Sequence, residues 1–129
     1  MRLDGYLNIL ESNMGEFLLT LLHAATNAHI LHFRTKSYAE HMALGSFYEE
    51  LPGLVDGLVE AVQGLTGELV EFPADYYAPA ANGLDELTDL MEYVKENRNI
   101  LPDDSEIQNL VDEIADLINT TRYKLKFLA

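Results

Sequence analysis

All four histidines of the chain, His23, His29, His32 and His41, fall within its first 41 residues. Imidazole suits two tasks near neutral pH: binding a first-row transition metal and moving a proton. His29 and His32 are one helical turn apart and can share a face. Two histidines do not complete a metal site, which needs further ligands. Asp56 and Glu60 are candidates, because an i, i+4 spacing brings two carboxylates to one side of a helix. Taken singly, each histidine reads as a hydrogen-bonded surface side chain, and the acid pair as a solvated stripe. The separations set a sharper condition. His41 and Asp56 are 15 residues apart, about 22 Å along a helix axis. One chain cannot bring them to a single ion. A second copy can, if the two helices pack antiparallel about a twofold axis, the commonest symmetry of soluble oligomers.

The elements that must position these residues are helical nearly throughout. Phe17, Leu18, Leu21, Leu22, Ala25, Ala28, Ile30 and Leu31 recur at three and four. That spacing predicts a first helix from residue 5 or 13 to about 33, capped by Asp4 or by Ser12-Asn13. Leu19 extends the apolar surface around this helix, which points to burial against a second copy. Ser37 and Glu40 read as a capping box. The second helix then carries Ala39, Met42, Ala43, Phe47, Leu51, Leu54, Val55, Leu58 and Val62 on its stripe. Pro52 lies inside it, but the stripe continues in phase, which predicts a kink and not a stop. Gly64 to Gly67 ends the helix. Residues 66–82, with Pro73, Tyr76-Tyr77 and Pro79, keep no period and form the one long connection. Leu84, Leu87, Leu90, Met91 and Val94 mark a third helix ending near Asn99, and Leu101-Pro102 a turn. Asp103-Asp104-Ser105 caps a fourth helix, striped by Ile107, Leu110, Val111, Ile114, Leu117, Ile118, Tyr123 and Phe127 or Leu128. Links that run short, long, short predict one all-α domain over residues 1–129: a ferritin-like four-helix bundle with a long crossover between the second and third helices. Only Glu68-Leu69-Val70-Glu71-Phe72 has strand character.

With the histidines and acids on these helices, the chain resembles the Dps mini-ferritins. The resemblance rests on His29-Ile30-Leu31-His32, on His41-Met42-Ala43-Leu44-Gly45-Ser46-Phe47 and on Asp56-Gly57-Leu58-Val59-Glu60. His29, His41, Asp56 and Glu60 are separated by 12, 15 and 4 residues, the spacing of that family's site, and Phe47 falls where the family has an aromatic. The match covers about residues 29–60. It implies an intersubunit metal site made by His29 and His41 of one chain with Asp56 and Glu60 of its twofold mate. It also implies iron as the metal, with zinc and manganese as alternatives, and ferroxidase activity. A homo-oligomer built on a twofold dimer of the first two helices follows, with a dodecamer as the family's assembly. Gly45 departs from the family pattern by replacing an acid one turn after the second histidine. Ile30 stands in place of a usual tryptophan. With no carboxylate at Gly45, a bridging ligand for a second iron is missing, and the resemblance implies metal binding without assured iron oxidation. The chain also resembles uncharacterised phage-encoded proteins of this ferritin-like type.

Composition narrows the alternatives. Eight Lys and Arg against 22 Asp and Glu give a formal net charge of −14, which argues against direct binding to a nucleic-acid backbone. The absence of cysteine excludes a disulfide scaffold, a thiolate zinc site, an iron–sulfur cluster and a cysteine nucleophile. An apolar fraction of 48% suits a globular chain. The opening Met1-Arg2-Leu3-Asp4-Gly5 does not read as a targeting segment, and no apolar run is long enough to enter a membrane. The expected setting is therefore the cytoplasm of a bacterium or phage-infected cell. Two further readings stand beside the metal site. One is a non-catalytic oligomeric structural or interaction protein of a phage. The other is an acidic mimic of nucleic acid, using Asp85, Glu86, Asp89, Glu92 and Glu96 of the third helix and Glu106, Asp112, Glu113 and Asp116 of the fourth. A di-iron centre inside the bundle is disfavoured, because the third and fourth helices have no histidine.

Overall fold

The structure, a computed structural model, describes the backbone of residues 3–129 and the side chains of residues 13–129. Four helices follow in order: α1 (Leu3–Arg34), α2 (Tyr38–Thr66), α3 (Gly83–Asn97) and α4 (Ser105–Phe127), with a 3-10 turn at Arg98–Ile100 before α4. Among the described residues there is no strand, and the run from Glu68 to Phe72 finds no partner to pair with. The proposed cap on Asp4 lies outside the described side chains, and Ser12-Asn13 falls inside α1, which begins at Leu3, so no helix starts there.

Half of the capping box forms. The Ser37 hydroxyl accepts the Glu40 N–H at 3.1 Å. Glu40 does not reach back to Ser37. Its carboxylate accepts from the Thr35 hydroxyl at 2.9 Å and, across 43 residues, from the Gly83 N–H at 3.1 Å. One side chain thus ties the α1–α2 corner to the first turn of α3. The α2 helix runs unbroken through Pro52 and ends where Gly67 takes a left-handed φ of 73° and donates its N–H to Gln63. Asn82 caps α3 by accepting the Asp85 N–H at 2.9 Å. Asp104 occupies the cap position of α4 but makes no side-chain cap bond.

The long link does what its length requires. Glu71 lies so close to Gly15 that a Cβ there would collide with the Glu71 carbonyl. Farther along, the Tyr77 carbonyl accepts from Asn27, and Gly83 then sits against Leu44 and Glu40. The link therefore runs up α1 and starts α3 beside the start of α2. The 29 residues of α2 span about 43 Å. The 16 residues between α2 and α3 can stretch to about 55 Å, so the crossover closes without strain. In the resulting bundle α1 packs on α2 and α3, and α4 packs on α2 and α3.

Phe17, Leu21, Leu44, Phe47, Leu51, Leu58, Leu87, Ile107, Ile114 and Ile118 form the fully buried centre. Some expected core positions are elsewhere. Ala39 and Met42 are exposed, and Leu44 turns inward. Tyr123, Phe127 and Leu128 are also exposed, while Thr121 and Leu125 are buried. Counting from Ile118, steps of three and seven stay on the inward stripe, and steps of five and nine leave it. Leu19 is half-buried beside Tyr76 and Tyr77. Leu19 is thus covered in part by the chain's own crossover. Among the described side chains of α1 only Phe33 is a large exposed hydrophobe.

Candidate functional site

The end of α1 and the start of α2 run antiparallel, which gathers three histidines at one corner. The rings of His32 and His41 stack with centroids 3.6 Å apart and an angle of 18° between planes. His32 Nδ1 donates to the His41 carbonyl at 2.6 Å, and His41 Nδ1 donates to the His32 carbonyl at 2.8 Å. A carbonyl can only accept, so each Nδ1 carries its hydrogen. Each neutral ring therefore keeps its lone pair on Nε2. Metal-binding histidines are commonly prepared in this way, with one ring nitrogen held by a carbonyl and the other free. His29 stacks flat on Tyr48, with centroids 3.9 Å apart and planes at 8°, and its ring lies 6.1 Å from that of His32.

Gly45 is explained by this packing. A Cβ at Gly45 would stand 3.2 Å from Cε1 and 3.4 Å from Nδ1 of His32. A side chain at the position where the resemblance expects a carboxylate would press on this imidazole. Sequence reasoning left His32 out of the site, and the structure puts it between His29 and His41. Its signal was available: it sits one turn after His29, and a glycine on the facing helix leaves it room.

Asp56 and Glu60 are exposed. At 3.6 residues per turn, Asp56 is rotated about 60° from His41, and Glu60 about 40° further. Asp56 and Glu60 point away from the buried stripe of Leu44, Phe47, Leu51, Val55, Leu58 and Val62, whereas His41 flanks that stripe, half-buried against His32. Gly53, Gly57 and Gly64 lie on the same outward side, and a Cβ at any of them would meet nothing within 4 Å. One chain brings His29 and His41 to a shared corner and keeps Asp56 and Glu60 far along α2. Among the described residues, no three His, Asp or Glu of a single chain are grouped closely enough to hold a metal.

A second polar constellation, missed in the sequence, lies under the crossover. Asn27 is fully buried. Its amide donates to the Tyr77 carbonyl at 3.2 Å, and its oxygen accepts from the Tyr76 hydroxyl at 2.7 Å. Glu86 is 4% exposed, and its carboxyl accepts the Ala80 N–H at 2.8 Å. Burial raises the Glu86 carboxyl above its ordinary range; Ala80, then Asn27 and Tyr77, oppose that shift without cancelling it. Burial, and after it the charge of Glu86, push the Tyr77 phenol upward. Glu86 is therefore not part of an exposed acidic face, and Asp112 on that face is paired with Arg98 at 2.6 Å. The signal for both buried polar residues was positional. Asn27 lies four before Leu31 and Glu86 four before Leu90, on the apolar stripes of their helices.

Fold and site together define an all-α four-helix bundle with a long crossover and a histidine-rich corner. The chain belongs to a family of unknown function, DUF5856, whose model matches residues 32–125. It is also similar to an uncharacterised 14.6 kDa protein in the mobD-ri intergenic region of Enterobacteria phage T4. The two are 29% identical over 120 residues, covering 88% of each chain. No solved structure matches the chain. Among the described residues, no helix is long and apolar enough to cross a membrane.

Proposed function

We propose that this is a phage-encoded bundle protein that binds a divalent first-row metal between two copies of itself. His29 and His41 of one copy and Asp56 and Glu60 of the other supply the ligands. The observation that carries this reading is the placement of His41 at the α1–α2 corner and of Asp56 and Glu60 on the outward side farther along the same unbroken helix, at a separation only an antiparallel second copy can close. The similarity to a phage T4 protein supports the phage setting.

The residues fit such an ion. His41 has its Nδ1 held by a carbonyl, and both carboxylates are free on the surface. Mixed imidazole and carboxylate ligands suit Fe(II), Zn(II) or Mn(II). Gly45 supplies no carboxylate to bridge to a second ion, so one metal per site is expected, and iron oxidation is expected to be slow. A bound ion would act chiefly as a clip between copies.

Calorimetric titration of Zn(II) into the wild type and into His41→Ala tests the reading. Binding in the wild type and its loss in the variant are expected, with affinity falling on acidification because only unprotonated imidazole binds metal. Equal binding by both proteins contradicts the assignment.

One observation favours a second reading, a metal-free interaction protein. Phe33, Tyr38 and Phe127 are 73%, 77% and 67% exposed, and α1 ends, α2 begins and α4 ends at the same end of the bundle. Absence of Zn(II) binding by the wild type would favour it.

A further inference from the structure

The crossover does more than connect α2 to α3. It roofs a cavity of about 420 Å³ between α1 and α3, within the size range of small-molecule sites. Three tyrosines face this space, Tyr76 and Tyr77 from the crossover and Tyr93 from α3. His23 meets the Tyr76 ring edge-on, at 5.0 Å between centroids. Leu19 and Leu90 give apolar wall. Carboxyl groups enter from three elements: Glu16 on α1, Asp75 on the crossover, and Glu86 and Asp89 on α3. Among the described residues, no lysine or arginine lines the space.

Glu86 gives the site its sign. It is 4% exposed, accepts the Ala80 N–H and is further eased by the neutral side chains of Asn27 and Tyr77, but has no basic side chain beside it. The one ion pair among the described residues is Arg98 with Asp112. A buried carboxylate without a counter-charge is costly, and a cation entering the cavity would supply that charge. Anions are excluded by four carboxyl groups. The acids are too dispersed to enclose a bare metal ion. Aromatic faces and aliphatic wall suit instead an ammonium group on a short hydrocarbon chain, held by charge at one end and by ring faces along its length.

We propose that this cavity binds a small alkylammonium ion, with Glu86 as the buried counter-charge and Tyr76, Tyr77 and Tyr93 as its aromatic walls. The site is separate from the histidine corner and stands whether or not metal binds there. The ammonium can belong to a free diamine or to a lysine side chain of another protein.

Calorimetry with 1,4-diaminobutane, Nα-acetyl-lysine amide and the neutral isostere 1,4-butanediol tests the proposal on the wild type, Glu86→Gln and Glu113→Gln. Glutamine at 86 keeps an acceptor for the Ala80 N–H, and Glu113 lies on α4, which contributes nothing to the cavity. Thermal melts check that both variants fold. At least one amine is expected to bind saturably and the diol not at all. Glu86→Gln should weaken amine binding at least about tenfold, and Glu113→Gln should leave it unchanged. Tighter binding of the diamine assigns the site to a free ligand, and tighter binding of the lysine derivative assigns it to a protein side chain. Equal weakening in both variants would reveal general attraction to a chain of charge −14 and overturn the proposal. Failure of both amines to saturate the wild type would also overturn it.

Discussion

Alanine at Gly53 and Gly57 gives opposite outcomes for a solitary chain and for a paired one. Both glycines lie inside α2, and nothing stands within 4 Å of a Cβ at either. In a solitary chain, each alanine should stabilise the helix by about 0.8–1 kcal/mol through lower backbone entropy in the unfolded state. The double variant would gain about 2 kcal/mol. For 129 residues the entropy of unfolding is about 0.27 kcal/mol/K, so the melting temperature should rise by about 7 °C. If the outward side of α2 is the seam of a twofold dimer, each new methyl group appears twice at that seam. Overpacking there costs about 1–3 kcal/mol, enough to weaken association at least about tenfold. Sedimentation across the micromolar range, with thermal melts at the same concentrations, separates the two effects. The account expects a wild-type dimer, and a double variant that is monomeric and melts higher than the wild type does when diluted to monomer. An unchanged mass in the double variant would refute the reasoning that places a partner on this side of α2.

Two other perturbations test the fold around the crossover. Glu86→Gln should melt higher than the wild type at neutral pH. The folded carboxyl is raised above its ordinary 4.5 by burial, so its contribution is fully present below that value and is lost as pH rises through the folded value. The advantage of the variant should shrink on acidification, by about 1.4 kcal/mol, or about 5 °C here, for each pH unit that separates the folded from the ordinary value. Gly15→Ala should lower stability by about 2 kcal/mol, because the new methyl group collides with the Glu71 carbonyl and displaces backbone. Circular dichroism melts read both effects.

The helices were legible because Leu, Ile and Val recur at three and four along each of them, and the crossover was legible because residues 66–82 keep no period and are too many for a hairpin. Non-local geometry was not. Nothing near Glu40 in the chain signals that its carboxylate will reach Gly83 rather than close the capping box. Leu19 suggested an uncovered face because the path of the crossover over α1 is set by contacts such as Gly15 with Glu71, far apart in sequence. Tyr123 and Phe127 looked like core by residue type, but helical phase favours Thr121 and Leu125. If His29, His41, Asp56 and Glu60 share one ion as proposed, their spacing alone already requires a second copy. The role of Gly45 emerged only when the His32 ring was found against it. A missing side chain in the sequence is, in the fold, space for another.

Complementation between two inactive variants tests the central claim most directly. His41→Ala keeps its carboxylates, and the double variant Asp56→Asn/Glu60→Gln keeps its histidines. If the site is shared across a twofold axis, neither variant binds Zn(II) alone. An equal mixture then regains about a quarter of the wild-type sites per chain, because half of the randomly formed dimers carry one intact pair of ligand sets. That recovery, read by calorimetry after the chains have exchanged, is the predicted result. No recovery in a mixture shown to contain heterodimers, or full binding by either variant alone, would contradict a metal site built from two copies.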